Sequence, residues 1–306
     1  ELLVFINYMV FTLNSMMMLS MTLTMFSRSK ASFVRIAEIL DKTPEIRNPE
    51  VIQEPTEITG RLSFRNVCFK YQSASSEYDL ENLSFDVLPG EHVGIIGSTG
   101  SGKTTLIRCL TRLLDIQEGE IRLDDVRIHD FDLQNLRRQI SVIPQKNVLF
   151  SGTVAQNLRW GNPEASDESL WQALKTSGIE PFVRNSKDQL DTLIQQGGAN
   201  FSGGQKQRFC IARALVKDSP ILVFDDSMSA LDSATESWVK SQLDTHYSNK
   251  TILMIAQKIS TIKDYDRILV MDDGKIVGYD THANLLKHNT VYQEIVASQA
   301  QKEVIA

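Results

Sequence analysis

An eight-residue loop, Gly-Ser-Thr-Gly-Ser-Gly-Lys-Thr, occupies positions 97–104. It follows the apolar run 93–96, which predicts a strand, and precedes a helical pattern over 105–110. In such a loop the glycines allow a tight turn whose N–H groups point at phosphate oxygens, a lysine reaches the β- and γ-phosphates, and a threonine hydroxyl faces Mg²⁺. The alternative is a glycine-rich turn with an incidental Lys-Thr. The predicted nucleotide site comprises Gly97, Ser98, Thr99, Gly100, Ser101, Gly102, Lys103, Thr104 and Thr105.

A pair of carboxylates follows a second predicted strand. Residues 221–224 are Ile-Leu-Val-Phe, a run typical of a buried parallel strand, and Asp225 and Asp226 come directly after it. A parallel sheet presents acids of this kind at its carboxyl edge, where a phosphate-binding loop also lies. We therefore expect Asp225 to bind Mg²⁺, together with Thr104.

A second anion site is predicted where Asn-Phe-Ser-Gly-Gly-Gln, at 200–205, stands directly before a helical pattern over 206–216. Small residues and free N–H groups at a helix start attract anions. With these elements in this order, the sequence resembles the ATP-binding-cassette (ABC) family over residues 58 to about 292. The family's signature is matched by Ser202, Gly203, Gly204 and Gln205, with Phe201 where leucine is more common.

The resemblance implies that the chain binds ATP and Mg²⁺. Tyr71 matches the aromatic residue that stacks on adenine, and Gln145 matches the glutamine that touches Mg²⁺ and the transmembrane partner. Residues 229–232, Ser-Ala-Leu-Asp, match the family's D-loop. Taken singly, Tyr71 and Gln145 are typical of ordinary surface or packing positions. The resemblance gives the metal set Thr104, Gln145 and Asp225.

Two residues depart from the hydrolytic pattern of the family. Asp226 stands where active members carry a glutamate that activates water, and Gln257 stands where they carry a histidine that contacts the γ-phosphate. A shorter carboxylate is withdrawn by roughly 1 Å, and a neutral amide cannot supply the charge of an imidazolium. With Lys103, these two residues form the predicted catalytic set. The pattern resembles the degenerate half of a heterodimeric multidrug-type ABC exporter, whose partner carries the consensus Glu and His.

Composition limits the class of protein. The chain has 306 residues, of which 42% are hydrophobic and 23% charged, as is typical of globular domains. Its net charge of −6 argues against a nucleic-acid partner, because no basic stripe is present to neutralise phosphates. The three cysteines, Cys68, Cys109 and Cys210, are too far apart for a metal motif and are expected to be reduced thiols.

The N-terminal segment predicts a membrane span. Residues 2–27 contain no charged side chain, and Arg28, Lys30 and Arg35 follow, which places the C-terminal end in the cytoplasm. The alternative is a buried helix of a soluble protein, since Asn, Ser and Thr dilute the apolar run. The methionine run at 16–18 is attributed to packing or lipid contact rather than copper. We interpret the chain as a fragment that begins within the last transmembrane helix of a multi-pass cell-membrane protein.

The predicted fold class is α/β: a P-loop NTPase core of the ABC ATPase type with an antiparallel β subdomain and a helical subdomain, preceded by a partial transmembrane helix. The predicted domains are 1–27 for that helix, 28–56 for a cytoplasmic helical extension and proline-containing linker, 57–292 for the nucleotide-binding domain, and 293–306 for a tail. Residues 151–215 are predicted to form the helical subdomain. Apolar runs at 62–64, 67–69 and 83–87 predict strands, and the residues from about 291 predict a short helix and tail.

Three functions compete on this evidence. The first is a subunit of a membrane exporter that holds Mg-ATP in a slow site and supplies its signature to the hydrolytic site of a second half-transporter. The second is a soluble nucleotide-dependent regulatory module without transport, which has no need of the charge-free segment. The third is a symmetric exporter ATPase, against which Asp226 and Gln257 argue. The exported substrate and the partner's identity stay open.

Overall fold

The computed structural model describes residues 1–71 and 78–305, with side chains as far as residue 300. The chain divides into two units, Glu1–Arg47 and a second that begins at Asn48. The first unit is one helix, α1 (Leu2–Leu40), without a buried residue. Its Thr and Ser hydroxyls donate to carbonyls four residues earlier, as from Thr12 to Tyr8 and from Ser15 to Phe11. This bonding satisfies polar side chains within the helix itself.

Among the described residues, α1 is the one helix long and apolar enough to cross a membrane. Its 39 residues correspond to about 58 Å at 1.5 Å per residue, longer than the roughly 30 Å hydrocarbon core. The predicted continuation of the helix through 29–40 is present. It ends shortly before Pro44, because the residue before a proline disfavours the helical conformation.

The second unit is built on two main sheets. An antiparallel sheet has the order β2-β1-β4-β5, and a six-stranded sheet has the order β12-β11-β3-β10-β9-β6, in which β12 alone is antiparallel to its neighbour. The strands are β1 (Leu62–Phe69), β2 (Leu80–Val87), β3 (His92–Gly97), β4 (Glu118–Leu123), β5 (Val126–Arg127), β6 (Ile140–Ile143), β7 (Gly152–Thr153), β8 (Leu193–Ile194), β9 (Ile221–Asp225), β10 (Thr251–Ile255), β11 (Arg267–Asp272) and β12 (Lys275–Asp280).

Helices cover the six-stranded sheet and form a separate helical region between β6 and β9. They are α2 (Lys103–Leu110), α3 (Leu133–Gln139), α4 (Val154–Arg159), α5 (Asp167–Thr176), α6 (Glu180–Asn185), α7 (Gly203–Val216), α8 (Ser233–His246), α9 (Ile259–Ile262), α10 (His282–His288) and α11 (Thr290–Ile305). The helices between β6 and β9 extend over 154–216, and the short strand pair β7 and β8 lies among them.

Alternation along the strands divides the interior into two cores. In β9, Ile221 and Val223 pack with the antiparallel sheet and α2, whereas Leu222 and Phe224 pack with the helical region. Successive side chains of a strand point to opposite faces, so one central sheet serves both cores. The carboxyl ends of β3, β9 and β10 consequently meet at one edge, between the cores.

Three local predictions needed correction. Residues 62–69 form one strand rather than two, with an irregularity at Asn66, whose φ is 48°. Helix α7 begins at Gly203 rather than 206, because Ser202 caps it. The C-terminal helix has 16 residues and is not short, and its Tyr292 is fully buried. The strands β4 and β5 were not predicted at all.

Candidate functional site

The loop of residues 97–104 joins β3 to α2, and its glycines are required by its geometry. A Cβ on Gly97 would stand 2.0 Å from the carbonyl oxygen of Met271, and one on Gly102 would stand 2.5 Å from Leu80. Gly100 and Gly102 also have φ values of 87° and 91°, which L side chains rarely adopt. The loop therefore brings its backbone close to the start of α2, where free N–H groups favour an anion.

The side chain of Lys103 turns back into this loop. Its ammonium donates to the carbonyls of Gly97 and Ser98 at 3.0 and 2.6 Å, and to the buried Ser101 hydroxyl at 3.1 Å. Burial lowers the pKa of Lys103, and the nearby carboxylates of Asp226 and Asp225 oppose that effect. The Lys103 ammonium is thus bound by neutral acceptors, next to the N–H donors of the loop. A phosphate would be a stronger, charged acceptor for it, so the arrangement suits the phosphates of a nucleotide.

A cavity of about 430 Å³ opens in front of the loop. It brings together most of the predicted site residues, namely Gly97, Thr99, Gly100, Gly102, Lys103, Thr104, Thr105, Gln145, Asp225, Asp226 and Gln257. Its volume is within the range of small-ligand sites. Among the described residues, Ser98, Ser101, Tyr71 and the signature 202–205 are predicted site residues that do not line it.

Thr104 and Asp225 form the oxygen pair expected of a magnesium site. The Thr104 hydroxyl donates to Asp225 Oδ1 at 3.0 Å. Burial raises the pKa of Asp225, with the hydrogen bond from Thr104 opposing the rise and the charge of Asp226 adding to it. A carboxylate and a hydroxyl, in a cavity where negative charge is disfavoured, fit Mg²⁺, which prefers oxygen ligands. When bound, Mg²⁺ neutralises the charge of the β- and γ-phosphates.

Asp226 lies between two amide side chains. Its Oδ2 accepts from Gln257 Nε2 at 2.5 Å and from Gln145 Nε2 at 3.1 Å, residues 31 and 81 positions away in the chain. The backbone supports this placement, since Asp226 has a φ of 51°, a conformation that aspartate adopts more readily than most residues. Gln145 therefore faces Asp226 here, and its predicted role toward Mg²⁺ stays a prediction.

Tyr71 lies at the edge of the core next to α2. Its ring packs edge-on against Phe69, with 4.9 Å between centroids, and its hydroxyl accepts from Arg108 at 3.2 Å and lies 3.4 Å from the Thr105 hydroxyl. The side chain is thus tied to the helix that carries Lys103. Its predicted stacking on adenine stays a prediction.

The signature residues form the first turn of α7. Ser202 accepts from the Gln205 N–H at 3.3 Å, and the Gln205 side chain accepts from the Ser202 N–H at 2.9 Å, which makes a capping box. Apart from its chain neighbours and the backbone of its own helix, Gly203 has no described atom within 4 Å of the place where a Cβ would stand. Its lack of a side chain is therefore not required by packing within the chain.

Sequence reasoning missed two acidic residues at the cavity. Asp79 and Asp273 line it, and Gly274 packs closely against the Asp79 backbone, since a Cβ on Gly274 would stand 2.6 Å from the Asp79 carbonyl oxygen. The Asp-Gly pair between the apolar runs 268–271 and 276–277 was an available signal for a hairpin turn. Its position beside the nucleotide loop was not available from sequence.

Comparison with known proteins agrees with this geometry. Residues 80–229 match the ABC transporter family model. The chain is 38% identical over 304 residues to an uncharacterized ABC transporter ATP-binding protein of Mycobacterium bovis, covering 98% of this chain and 52% of that protein. It is 39% identical over 275 residues to an ATP-dependent lipid A-core flippase of Haemophilus influenzae, covering 90% and 46%.

A solved structure of a bacterial Atm1-family ABC exporter with ATP bound superposes with a TM-score of 0.84 at 34% identity, covering 90% of this chain and 48% of that one. The chain spans about half the length of these relatives. The predicted fold class and the predicted nucleotide and metal, ATP and Mg²⁺, are confirmed. The chain therefore carries an ATP-binding domain of the ABC transporter family.

Proposed function

We propose that this chain is the ATP-binding part of a membrane exporter subunit, with a slow ATP site of its own. In the proposal, its signature residues complete a faster site on a partner half-transporter, and ATP turnover there drives export. Support comes from the family match, from relatives named as an exporter and a flippase, and from helix α1, whose residues 2–27 carry no charged side chain. The same helix argues against the alternative function of a soluble regulatory module.

The observation that carries the proposal is the double engagement of Asp226 Oδ2 by Gln145 and Gln257. A general base must present a free lone pair to the water that it activates, within about 2.6–3.2 Å. Here one carboxylate oxygen already accepts two amide N–H groups. The side chain is also one methylene shorter than glutamate, so we infer slow hydrolysis at this site.

The position of the signature supports the second half of the proposal. Within the described residues, Ser202–Gln205 do not line the cavity that holds Lys103, and the space beside Gly203 is open. A helix start with exposed N–H groups and an unobstructed glycine suits the phosphates of a nucleotide held by another chain. We therefore propose head-to-tail pairing with a second half-transporter, as a heterodimer of multidrug-exporter type.

The proposed arrangement places the protein in the cell membrane as a multi-pass subunit, with residues 57–292 on the cytoplasmic side. Residues 28–56 would connect the membrane helix to that domain. Asn48 already bonds to the domain, donating to Asp132 Oδ2 at 2.6 Å. We therefore propose that the second half of this linker is attached to the nucleotide-binding domain.

The test compares two carboxylates in the complete transporter, assembled with its partner in lipid nanodiscs. Asp226→Asn in this chain should reduce ATPase and transport less than twofold. The corresponding Glu→Gln change in the partner should reduce both by about 100-fold or more, because it removes the working base. Equal losses from the two changes would refute the asymmetric assignment.

A second comparison tests the shared signature. Ser202→Ala should lower the assembled transporter's ATPase by about 100-fold, since an oriented donor at developing phosphate charge has effects of this size. Ser166→Ala is the matched control, because Ser166 caps α5 through a hydrogen bond of the same 3.3 Å length from Ser169 N–H. This control should lower the stability of α5 and leave the ATPase rate of the assembled transporter unchanged. If both changes reduce ATPase equally, the proposed role of the signature is wrong.

A further inference from the structure

The C-terminal helix reaches the segment that carries Gln257. Gln299, on α11, donates from Nε2 to the Gln257 carbonyl at 2.8 Å and accepts at Oε1 from the Ile259 N–H at 2.9 Å. Both polar atoms of one amide are thus bonded to backbone groups two residues apart. A two-point contact of this kind fixes the direction of the intervening backbone as well as its distance.

The contact fills a specific need of the short helix α9. That helix begins at Ile259 after Lys258, whose side chain makes no capping hydrogen bond. Lysine has no acceptor, so the first N–H of α9 finds no local partner. Gln299 supplies the acceptor from 40 residues away. The start of α9, directly after Gln257, is therefore held by the C-terminal helix.

Helix α11 is itself anchored independently of this contact. Tyr292 is fully buried and its hydroxyl lies 2.7 Å from His282 Nδ1 on α10, while Ile295 and Val296 pack against the helical core. The position of Gln299 is thus set by α10 and the core. The restraint runs from the helix to the Gln257 segment.

We propose that Gln299 is a positioning residue for Gln257, holding its backbone so that its side chain stays at Asp226 in the nucleotide cavity. The inference rests on the proposed function, in which this site binds Mg-ATP. Gln257 donates to Asp226, whose charge acts on Lys103, the residue expected at the terminal phosphates. Loss of the restraint should therefore affect recognition of ATP more than of ADP.

The test uses the full chain in detergent, with Mg-ATP and Mg-ADP as probes. Gln299→Ala should speed hydrogen exchange of the Ile259 amide at least tenfold, and should lower the ratio of ATP to ADP affinity about fivefold with ADP affinity unchanged. Gln299→Glu keeps the acceptor for Ile259 but loses the donor to Gln257, so exchange should stay slow while the ratio falls.

Gln293→Ala is the matched control, since Gln293 lies on the same helix and donates to the Leu286 carbonyl at 2.8 Å. It should change neither quantity. In a Gln257→Ala background, Gln299→Ala should cause no further fall in the ratio, because its effect acts through Gln257.

The inference is overturned if Gln299→Ala leaves the affinity ratio at the value of Gln293→Ala, or if its effect adds fully to that of Gln257→Ala. Should Gln299→Ala unfold, the ratio for Gln299→Glu decides by the same criterion. A wild-type chain that binds no Mg-ATP would instead refute the proposed function.

Discussion

Replacing Asp226 with Glu and Gln257 with His together should raise ATP turnover at this chain's own site about 100-fold. The added methylene advances the carboxylate by roughly 1 Å, and misplacement on that scale costs about 100-fold in rate. The second change removes the amide that donates to Asp226 Oδ2 at 2.5 Å. The first change therefore moves the carboxylate closer to the attacking water, and the second removes a hydrogen bond that occupies a carboxylate oxygen.

The single changes should fall well short of the pair. Asp226→Glu alone leaves both amides able to follow the carboxylate, so we expect a gain of less than about tenfold. Gln257→His alone leaves the carboxylate short, and we expect almost no gain. The shortfall follows because the two residues are in direct contact and their effects on the barrier do not add.

The assay is phosphate release by the assembled transporter in which the partner's catalytic carboxylate has been changed to an amide, so that turnover comes from this site. Asp226→Gln with Gln257→His is the matched control, equal in length to the active pair but without a base. Thermal midpoints are measured alongside, because position 226 has a φ of 51°, where glutamate is less stable than aspartate.

Two outcomes would refute this reasoning. One is a Glu/His variant that binds ATP with wild-type affinity and turns it over no faster. The other is a Gln/His control that is as fast as the Glu/His variant, since the gain would then not come from a carboxylate base.

Three further predictions follow from single contacts. Gly203→Ala should leave the thermal midpoint unchanged, because the space beside it is open, while lowering the assembled transporter's ATPase about tenfold; a lowered midpoint would contradict this. Thr104→Val should raise the Mg²⁺ concentration needed for ATP binding about tenfold, whereas Thr104→Ser should not. Burial lowers the pKa of Lys217 from 10.5 to about 8. Between those values the unfolded chain holds a proton that the folded chain has released, so stability relative to Lys217→Met should rise with pH, as thermal midpoints at about pH 7.5 and 10 would show.

The features that the sequence alone predicted are those formed by residues close together in the chain. The loop at 97–104, the acids after β9 and the glycines before α7 are local patterns, and each was recognisable because a strand, turn and helix follow one another without interruption. The long helix α1 was predicted for the same reason, since an uncharged run of that length is a property of consecutive residues.

The antiparallel sheet shows where local patterns failed. Its first two strands carry apolar runs and were predicted, whereas β4 begins Glu-Gly-Glu and gives a weak signal. Its place in the sheet depends on antiparallel pairing with β1, in which Ile121 stands opposite Phe64, a residue 57 positions earlier in the chain. Such a strand is stabilised by cross-strand contacts rather than by its own propensity.

The chemical character of the site was decided by tertiary structure. The sequence identified Asp226 and Gln257 by their departure from the usual glutamate and histidine. Only the order of strands in the parallel sheet brings them and Gln145 into one hydrogen-bonded group. The contact of Gln299 with the same segment depends on the packing of α11 against α10. The motifs consist of residues close together in sequence, so their chemistry can be recognised without the fold. The contacts of Asp226 and Gln257 instead depend on which distant strands and helices lie at the same sheet edge. Those positions are fixed only when the two cores pack.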